Sequence, residues 1–152
     1  MKLDAIDKCI LEALQKDAKI NIKVLADELN MSRTPVYERI RRLENEGVIG
    51  KYVAILNKDH LEKSMVVFCF VSLDNQRLDN IRKFSQAISG LPEVLECYLL
   101  GGQNDFLLKV VVEDLNAYHK FSAGTLATLP NVSQIKSTFV LNETKHSTVF
   151  PI

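Results

Sequence analysis

Residues 20 to 47 read INIKVLADELNMSRTPVYERIRRLENEG, two short amphipathic segments on either side of a turn at Asn30-Met31-Ser32. Each segment places three apolar residues on one helical face: Leu25, Ala26 and Leu29 in the first, and Val36, Ile40 and Leu43 in the second. Ser32 or Thr34 can cap the second helix, and Gly47 can end it,. This pattern predicts a helix-turn-helix.

The second helix also carries a polar face, because its buried stripe leaves a set of polar residues on the opposite side: Arg33, Thr34, Tyr37, Glu38 and Arg41. Arginine can bond bidentately to guanine, glutamate can accept from cytosine, and Thr or Tyr can touch a thymine methyl or a phosphate. We therefore predict that this face binds double-stranded DNA. Arg39 and Arg42 lie nearer the sides of the helix, where they can bind phosphates or pair with Glu44 and Glu46,.

The charge distribution limits how strongly one copy can bind DNA. The chain has 152 residues and a formal net charge of zero, so it lacks an extended basic surface,. Within residues 33 to 42, however, four arginines accompany a single glutamate. A focused patch of this kind predicts modest affinity per copy, which favours a dimer or a larger assembly.

Other residue patterns exclude several classes of protein. The longest apolar run, Met65 to Val71, is far too short to span a bilayer,, so we expect a soluble cytoplasmic protein without a membrane partner. Cys9, Cys69 and Cys97 are odd in number and lie far apart among apolar residues, which indicates reduced, buried thiols,. The histidines show no ligand spacing with them, so neither a metal site nor a cofactor is predicted,.

The chain is expected to divide near residues 47 to 64. Asp4 can cap a first helix that ends near Lys16, which completes a three-helix unit,. A predicted strand at 52–56 either ties this unit onward or pairs with its copy in a partner, and the polar turn at 57–60 is the expected hinge,. The predicted division is residues 1–50 for the helix-turn-helix domain, 51–64 for the linker strand and hinge, and 65–152 for the second domain.

The second domain contains an internal near-repeat of strand, amphipathic helix, Leu-Pro-x-Val and strand,. The first copy is predicted to contain strand 65–73, helix 77–89, Leu91-Pro92-Glu93-Val94 and strand 95–100. The second copy is predicted to contain strand 106–112, helix 115–127, Leu129-Pro130-Asn131-Val132 and strand 135–141. Together they predict a βαββαβ, ferredoxin-like domain, with both helices on one face of an antiparallel sheet. The fold class is therefore α+β, a three-helix, winged-type helix-turn-helix joined by a strand to this domain.

The strands of this sheet are apolar on both faces, as the runs MVVFCFV and VVV show. A sheet covered on one side only normally alternates apolar and polar residues. Burial of the second face against another copy of the chain would explain the pattern, in an interface of roughly two thousand Å² or more. A central strand that tolerates some exposed valine is the alternative. We favour a homodimer.

This order of elements resembles the Lrp/AsnC (feast/famine) family of transcriptional regulators over nearly the whole chain. The matching motifs are Leu3-Asp4 with Asp7, Ile10 and Leu11, then Leu25-Ala26 before Ser32, the run Arg39-Ile40-Arg41-Arg42-Leu43-Glu44 with Gly47-Val48-Ile49, and Gly102-Gln103-Asn104-Asp105-Phe106. One departure is Glu62-Lys63-Ser64, where the family commonly has a glycine before the first strand of the second domain.

The resemblance implies a regulator whose second domain oligomerises, often to an octamer of four dimers, and binds an amino-acid effector where dimers meet. The candidate effector-binding residues are Gly101, Gly102, Asn104 and Asp105, with Thr128 and Gln134 as weaker candidates. Glycines allow a ligand to approach the backbone, exposed N–H groups suit a carboxylate, and Asp105 could take an α-ammonium. The alternative is a plain hairpin turn, for which Gly, Asn and Asp are the expected residues.

Two further classes of function stay open at the level of the sequence. The helix-turn-helix could serve protein contact only, in which case binding to DNA would depend little on salt. The second domain could be a metabolite-binding enzyme, since its fold hosts many chemistries. The residues favour neither a catalytic centre nor a phosphate loop, because no nucleophile stands beside a plausible base in one motif,. We therefore expect that the chain is not an enzyme.

Overall fold

A computed structural model describes residues 2–57, 60–61 and 65–152. The chain forms two compact units. One contains the residues up to Leu56 together with Lys145–Ile152, and the other contains Asn57–Thr144. The C-terminal segment therefore belongs to the helical unit, although more than eighty residues separate the two along the chain. Residues 58–59 of the expected hinge and the departure at 62–64 lie outside the described residues.

The helical unit contains the three predicted helices, α1 (Ala5–Lys16), α2 (Ile22–Glu28) and α3 (Arg33–Asn45). Asp4 caps α1 as predicted, because its carboxylate accepts from the backbone N–H of Asp7 at 2.8 Å. The carboxylate of Asp7 accepts from the N–H of Asp4 in return, which completes a reciprocal capping box,. The start of α1 is therefore well defined.

The turn between α2 and α3 contains Asn30 in the left-handed region, with φ 53°, a conformation that asparagine tolerates better than most residues. Ser32 occupies the N-cap position of α3, but its side chain makes no capping hydrogen bond there, contrary to our expectation. Pro35 provides the reason, since it stands three residues later and lacks the N–H that a cap would bind,. Gly47 follows α3 with φ 72°, as its predicted role at the end of the helix requires,.

The predicted stripes of α2 and α3 form the core of this unit. Its buried apolar residues are Ile10, Leu11, Leu25, Ala26, Val36, Ile40 and Leu43. Ala26 is fully buried, and its small side chain lets neighbouring helices approach closely. The packing therefore fixes which side of α3 faces inward.

The second unit has the predicted strand and helix order. Its elements are β1 (Met65–Leu73), α4 (Leu78–Ser89), β2 (Val94–Leu99), β3 (Phe106–Val112), α5 (Leu115–Gly124), a 3-10 turn (Leu126–Thr128) and β4 (Val132–Phe139). The four strands form one antiparallel sheet in the order β2-β3-β1-β4. β1 and β3 have the predicted bounds, whereas α5 ends before the predicted residue 127 and gives way to the 3-10 turn.

Both helices pack on one face of the sheet, as the shared core shows. Alternate residues of β1 and β3 are buried there with Phe84 and Ile88 of α4 and with Tyr118 and Phe121 of α5. The intervening residues of the two central strands project from the opposite face and are half-buried: Val66, Phe68, Phe70 and Ser72 of β1, and Leu107, Lys109 and Val111 of β3. Five of these seven residues are apolar, and Lys109 is ion-paired with Glu96 of β2 at 2.9 Å, so the opposite face is largely apolar.

Two expectations about local structure are wrong. Residues 52–56 are not assigned to a strand, since an extended segment becomes one only when a partner supplies the ladder hydrogen bonds,. Cys9 and Cys97 are exposed, and only Cys69 of the three is buried. Apolar neighbours in sequence were a poor guide because the next residues of a helix or strand point in other directions.

The C-terminal segment contacts α1 through a paired hydrogen bond. The Gln15 side-chain amide donates to the carbonyl oxygen of Phe150 at 3.2 Å, and its oxygen accepts from the N–H of the same residue at 2.5 Å. Phe150 and Ile152 line an open cleft of about 910 Å³ with α1 and the segment after α3. No sequence periodicity predicted this attachment.

Candidate nucleic-acid interface and effector loop

The predicted reading face of α3 is exposed over its whole length. Val36 and Leu43 are fully buried and Ile40 is 8% exposed. The five residues predicted on the opposite side are all exposed: Arg33, Thr34, Tyr37, Glu38 and Arg41. The helix packing therefore brings these side chains together on one surface, as the sequence indicated.

Two residues of this surface contact each other. The guanidinium carbon of Arg41 lies 6.0 Å from the centroid of the Tyr37 ring, one helical turn away. This distance is at the outer limit of a cation–π contact. The two side chains therefore lie beside each other on the exposed surface of the helix.

Arg39 and Arg42 lie on a flank of the same helix and pair with carboxylates of α1. Nη1 of Arg39 lies 2.6 Å from Oδ2 of Asp4 and 2.8 Å from Oδ1 of Asp7. Nη2 of Arg42 lies 2.6 Å from the same Oδ1 of Asp7. We call these four residues the α1–α3 ion network.

The partners in this network differ from Glu44 and Glu46, which the sequence offered for these arginines as the alternative to phosphate contacts. The hydrogen bonds are short enough to change proton affinities. The pKa of Asp4 is lowered, mainly by the backbone N–H of Asp7 and next by the guanidinium of Arg39. The pKa of Arg39 is raised by its hydrogen bonds to Asp4 and Asp7. Both charges are therefore maintained at neutral pH.

Glu44, near the end of α3, contacts the segment that follows the helix. The hydroxyl of Tyr52 donates to its carboxylate at 2.8 Å. Desolvation and this carboxylate raise the pKa of Tyr52 to about 12, so the phenol remains a donor at neutral pH. The start of the 52–56 segment is thereby tied to α3.

The predicted effector loop joins β2 to β3. Gly101 and Gly102 are exposed, Asn104 is half-buried, and Asp105 is buried. The carboxylate of Asp105 accepts from the N–H of Leu73 at 2.7 Å, and its own N–H donates to the carbonyl of Val71 at 3.0 Å. Asp105 thus fastens the loop to the end of β1, a structural role that its position in a turn did not reveal.

The two weaker effector candidates lie at the same end of the sheet. Gln134 is exposed on β4 opposite Ser72, one residue from Leu73, which binds Asp105. Thr128 closes the 3-10 turn before β4, and its hydroxyl donates to the carbonyl of Thr125 at 2.7 Å. The strand ends therefore gather the loop and Gln134 at one edge of the domain.

The described part of the chain contains no group of three or more His, Cys, Asp or Glu side chains placed to hold a metal ion. Within the same residues, no helix has the length and apolar character that crossing a bilayer requires.

Comparison with known proteins identifies both units. Residues 3–49 match the model of a winged helix-turn-helix DNA-binding domain, and residues 66–150 match the model of the Lrp/AsnC ligand binding domain. The chain belongs to the Lrp/AsnC family. The leucine-responsive regulatory proteins of Klebsiella pneumoniae and Escherichia coli are each 41% identical to this Lrp/AsnC protein over 145 residues, covering 95% of it and 88% of their own length.

Solved structures agree with this assignment. A transcriptional regulator from Neisseria meningitidis in complex with L-Met has a TM-score of 0.92 at 32% identity, over 99% of this chain and 97% of that one. An AsnC family transcriptional regulator from Agrobacterium tumefaciens has a TM-score of 0.91 at 32% identity, over 98% and 97%. Both are transcriptional regulators, and the matches of this chain to a winged helix-turn-helix DNA-binding domain and to the Lrp/AsnC ligand binding domain make it a DNA-binding transcriptional regulator of that family and not an enzyme.

The α1–α3 ion network was not predicted from the sequence. Asp4 and Asp7 were visible as helix-capping residues, but their partners stand more than thirty positions away. One signal was present: Arg39 and Arg42 are three residues apart, on the side of α3 next to its buried stripe,. Acidic partners on a packed neighbouring helix could have been sought there.

Proposed function

We propose that this Lrp/AsnC regulator reads the major groove with the exposed face of α3. Arg33, Thr34, Tyr37, Glu38 and Arg41 contact bases or nearby phosphates, and Arg42 binds a phosphate from the flank. The observation that carries the proposal is the complete burial of Val36 and Leu43. Because the apolar side of α3 is packed in the core, the opposite, polar side is the one that can contact a DNA duplex.

Arg41→Ala tests the reading face directly. An arginine on a base edge contributes roughly 1–3 kcal/mol, so we expect operator affinity to fall about 5- to 150-fold and discrimination at one base position to relax. Operators come from a selection of genomic fragments bound by the unchanged chain, and affinity is measured by gel retardation.

Arg82→Ala, an exposed arginine of α4 in the other unit, is the matched control for charge. It should leave operator affinity nearly unchanged. Equal affinities for Arg41→Ala and the unchanged chain would show that the reading face is wrongly assigned. A salt titration of the unchanged chain adds a second test, since a module for protein contact alone would show little dependence of DNA binding on salt.

We further propose that the regulator acts as a homodimer, formed by packing the apolar sheet face against the same face of a second copy. Phe68 and Phe70 stand at the centre of that face. In the helical unit, Val53, Ile55 and Leu56 are 63–65% exposed. Pairing of this segment with its copy in the partner would supply the missing ladder. Two recognition helices then address two half-sites about one helical turn apart.

An amino-acid effector between dimers is the proposed regulatory ligand, within an assembly that reaches an octamer. The family of the second unit is named for ligand binding, and the regulator from N. meningitidis was solved with L-Met. We propose that Gly101, Gly102 and Asn104 offer backbone N–H groups to the α-carboxylate. Asp105 fixes the loop and favours the α-ammonium, with Thr128 and Gln134 at the margin. A DNA target also supports the expected cytoplasmic location.

Isothermal titration with each of the twenty amino acids, together with sedimentation, tests the effector site. At least one amino acid should bind and alter either the assembly or operator retardation. A side chain at position 102 would block the approach of a ligand to the backbone, so Gly102→Val should abolish that binding. Stability should not change, because a Cβ there meets nothing within 4 Å. Gly50→Val is equally unhindered and serves as the control. The sensing proposal fails when none of the twenty has an effect.

A further inference from the structure

The α1–α3 ion network is built around one buried carboxylate. The side chain of Asp7 is only 2% exposed, yet both of its oxygens are used. Oδ2 accepts from the N–H of Asp4 at 3.1 Å, while Oδ1 accepts from Arg39 and Arg42 at 2.8 and 2.6 Å. A buried carboxylate needs such partners to offset its desolvation. The position of the Asp7 carboxylate therefore fixes the positions of the Arg39 and Arg42 guanidiniums.

The guanidinium of Arg42 is bound to Asp7, while much of the Arg42 side chain is exposed. Nη2 binds Asp7, whereas 43% of the side chain remains exposed. A guanidinium has five N–H donors in a rigid plane, so fixing one nitrogen restricts the direction of the others. Arg42 can thus donate to a phosphate that lies within a limited range of positions beside α3.

The network also reduces the charge that α3 offers to any duplex. Four arginines and one glutamate lie between residues 33 and 42. Two of the arginines are paired with carboxylates of α1, which leaves Arg33 and Arg41 as the cations of the reading face. Fewer unpaired cations mean fewer phosphates neutralised, and phosphate neutralisation supplies nearly all of the binding to random DNA.

We infer that Asp7 is a specificity-determining positioning residue for DNA recognition. It aims Arg42 at one phosphate in the register that suits base reading, and it withholds Arg42 from phosphates in other registers, whereas Arg39 is also held by Asp4. Phosphate contacts fix the orientation of a protein on the duplex, so an arginine held in place favours the correct register over the rest. The inference rests on the proposed reading face.

Asp7→Asn is the primary test, because asparagine keeps the size of the side chain and removes its charge. We expect the ratio of operator affinity to random-duplex affinity to fall about tenfold, the size of effect that one mismatched base pair produces. Affinity for a random duplex of equal length should rise, with a steeper dependence on salt, since a released arginine neutralises an additional phosphate. Gel retardation over a salt series measures both quantities.

Glu12→Gln controls for the change in net charge, because Glu12 is exposed on the same helix. It should leave the affinity ratio unchanged. The double variant with Arg42→Gln shows whether the released charge is that of Arg42. In this double variant, affinity for random DNA should return to the level of Arg42→Gln alone. A gain that persists there would overturn the role assigned to Arg42.

Thermal unfolding of each variant separates positioning from folding. Equal losses of operator and random-duplex affinity in Asp7→Asn, at an unchanged salt slope, would reduce Asp7 to a structural residue and overturn the inference. If Asp7→Asn does not fold, Arg42→Lys takes its place. It keeps the charge but cannot bind a carboxylate and a phosphate through one rigid plane. An unchanged affinity ratio in Arg42→Lys would equally overturn the inference.

The same measurements distinguish failure of the role inferred for Asp7 from failure of the proposed function. Unchanged operator affinity in Arg41→Ala contradicts the reading face itself, whatever Asp7 does. A fall in affinity with Arg41→Ala beside an unchanged ratio in Asp7→Asn contradicts only the positioning role.

Discussion

At the scale of single residues, Asp105 shows how one side chain can join a loop to a sheet. Its buried carboxylate binds the N–H of Leu73. We expect Asp105→Ala to lower the free energy of unfolding by about 1–3 kcal/mol, because a buried donor loses its acceptor. Asp105→Asn should cost less, since its amide oxygen can still accept. Urea denaturation followed by circular dichroism measures both.

Glu113→Ala is the matched control for Asp105, an exposed acidic residue that follows β3. It should change stability little. Unfolding midpoints that agree among the three variants and the unchanged chain would contradict the structural role. If an Asp105→Asn variant stays folded but no longer binds the amino acid, the negative charge of Asp105 is needed for ligand binding and not for folding.

Residue roles were predictable wherever they follow from periodicity within one helix. The buried stripe of α3 and the left-handed Gly47 are of this kind. The ion pairs of Asp7 and the hydrogen bond of Asp105 join positions about thirty apart in sequence. Such contacts depend on how elements pack, which a local pattern in one sequence does not contain.

At the scale of elements, the signals that succeeded are those carried within a segment. β1 and β3 were predicted to the residue because each apolar run is bounded by polar or turn residues. α5 was predicted too long, since Gly124 and the β-branched Thr125 favour helix poorly,. Segment 52–56 has the alternation of a strand, but a strand also requires a partner.

The C-terminal segment is the element that sequence reasoning could not place. Residues 145–152 have neither helical nor strand periodicity, and they were assigned to the second domain with the rest of the C-terminal part. Their attachment to α1 includes the paired hydrogen bond between the Gln15 side chain and the backbone of Phe150, and Phe150 and Ile152 line a cleft beside α1. An attachment of this sort leaves no regular pattern, so it becomes visible only in three dimensions.

At the scale of the whole molecule, the apolar sheet face makes a strong prediction about assembly. Phe70 stands on the central strand β1, opposite Lys136 of β4 and Leu107 of β3. A glutamate at this position would face Lys136, but the proposed packing of two sheets would bury the carboxylate, and its desolvation would cost several kcal/mol even with that partner. We therefore expect Phe70→Glu to convert the dimer to monomers at micromolar concentration, as measured by sedimentation equilibrium.

Leu78→Glu is the matched control, because Leu78 starts α4 and is 70% exposed. It should leave the mass unchanged. Monomers of Phe70→Glu should also lose most of their operator affinity, since each retains one recognition helix for two half-sites. A monomeric mass for the unchanged chain at the same concentration would refute the packing of sheet against sheet. A Phe70→Glu variant that stays dimeric and folded would move the interface elsewhere, with the segment 52–56 as the next surface to test.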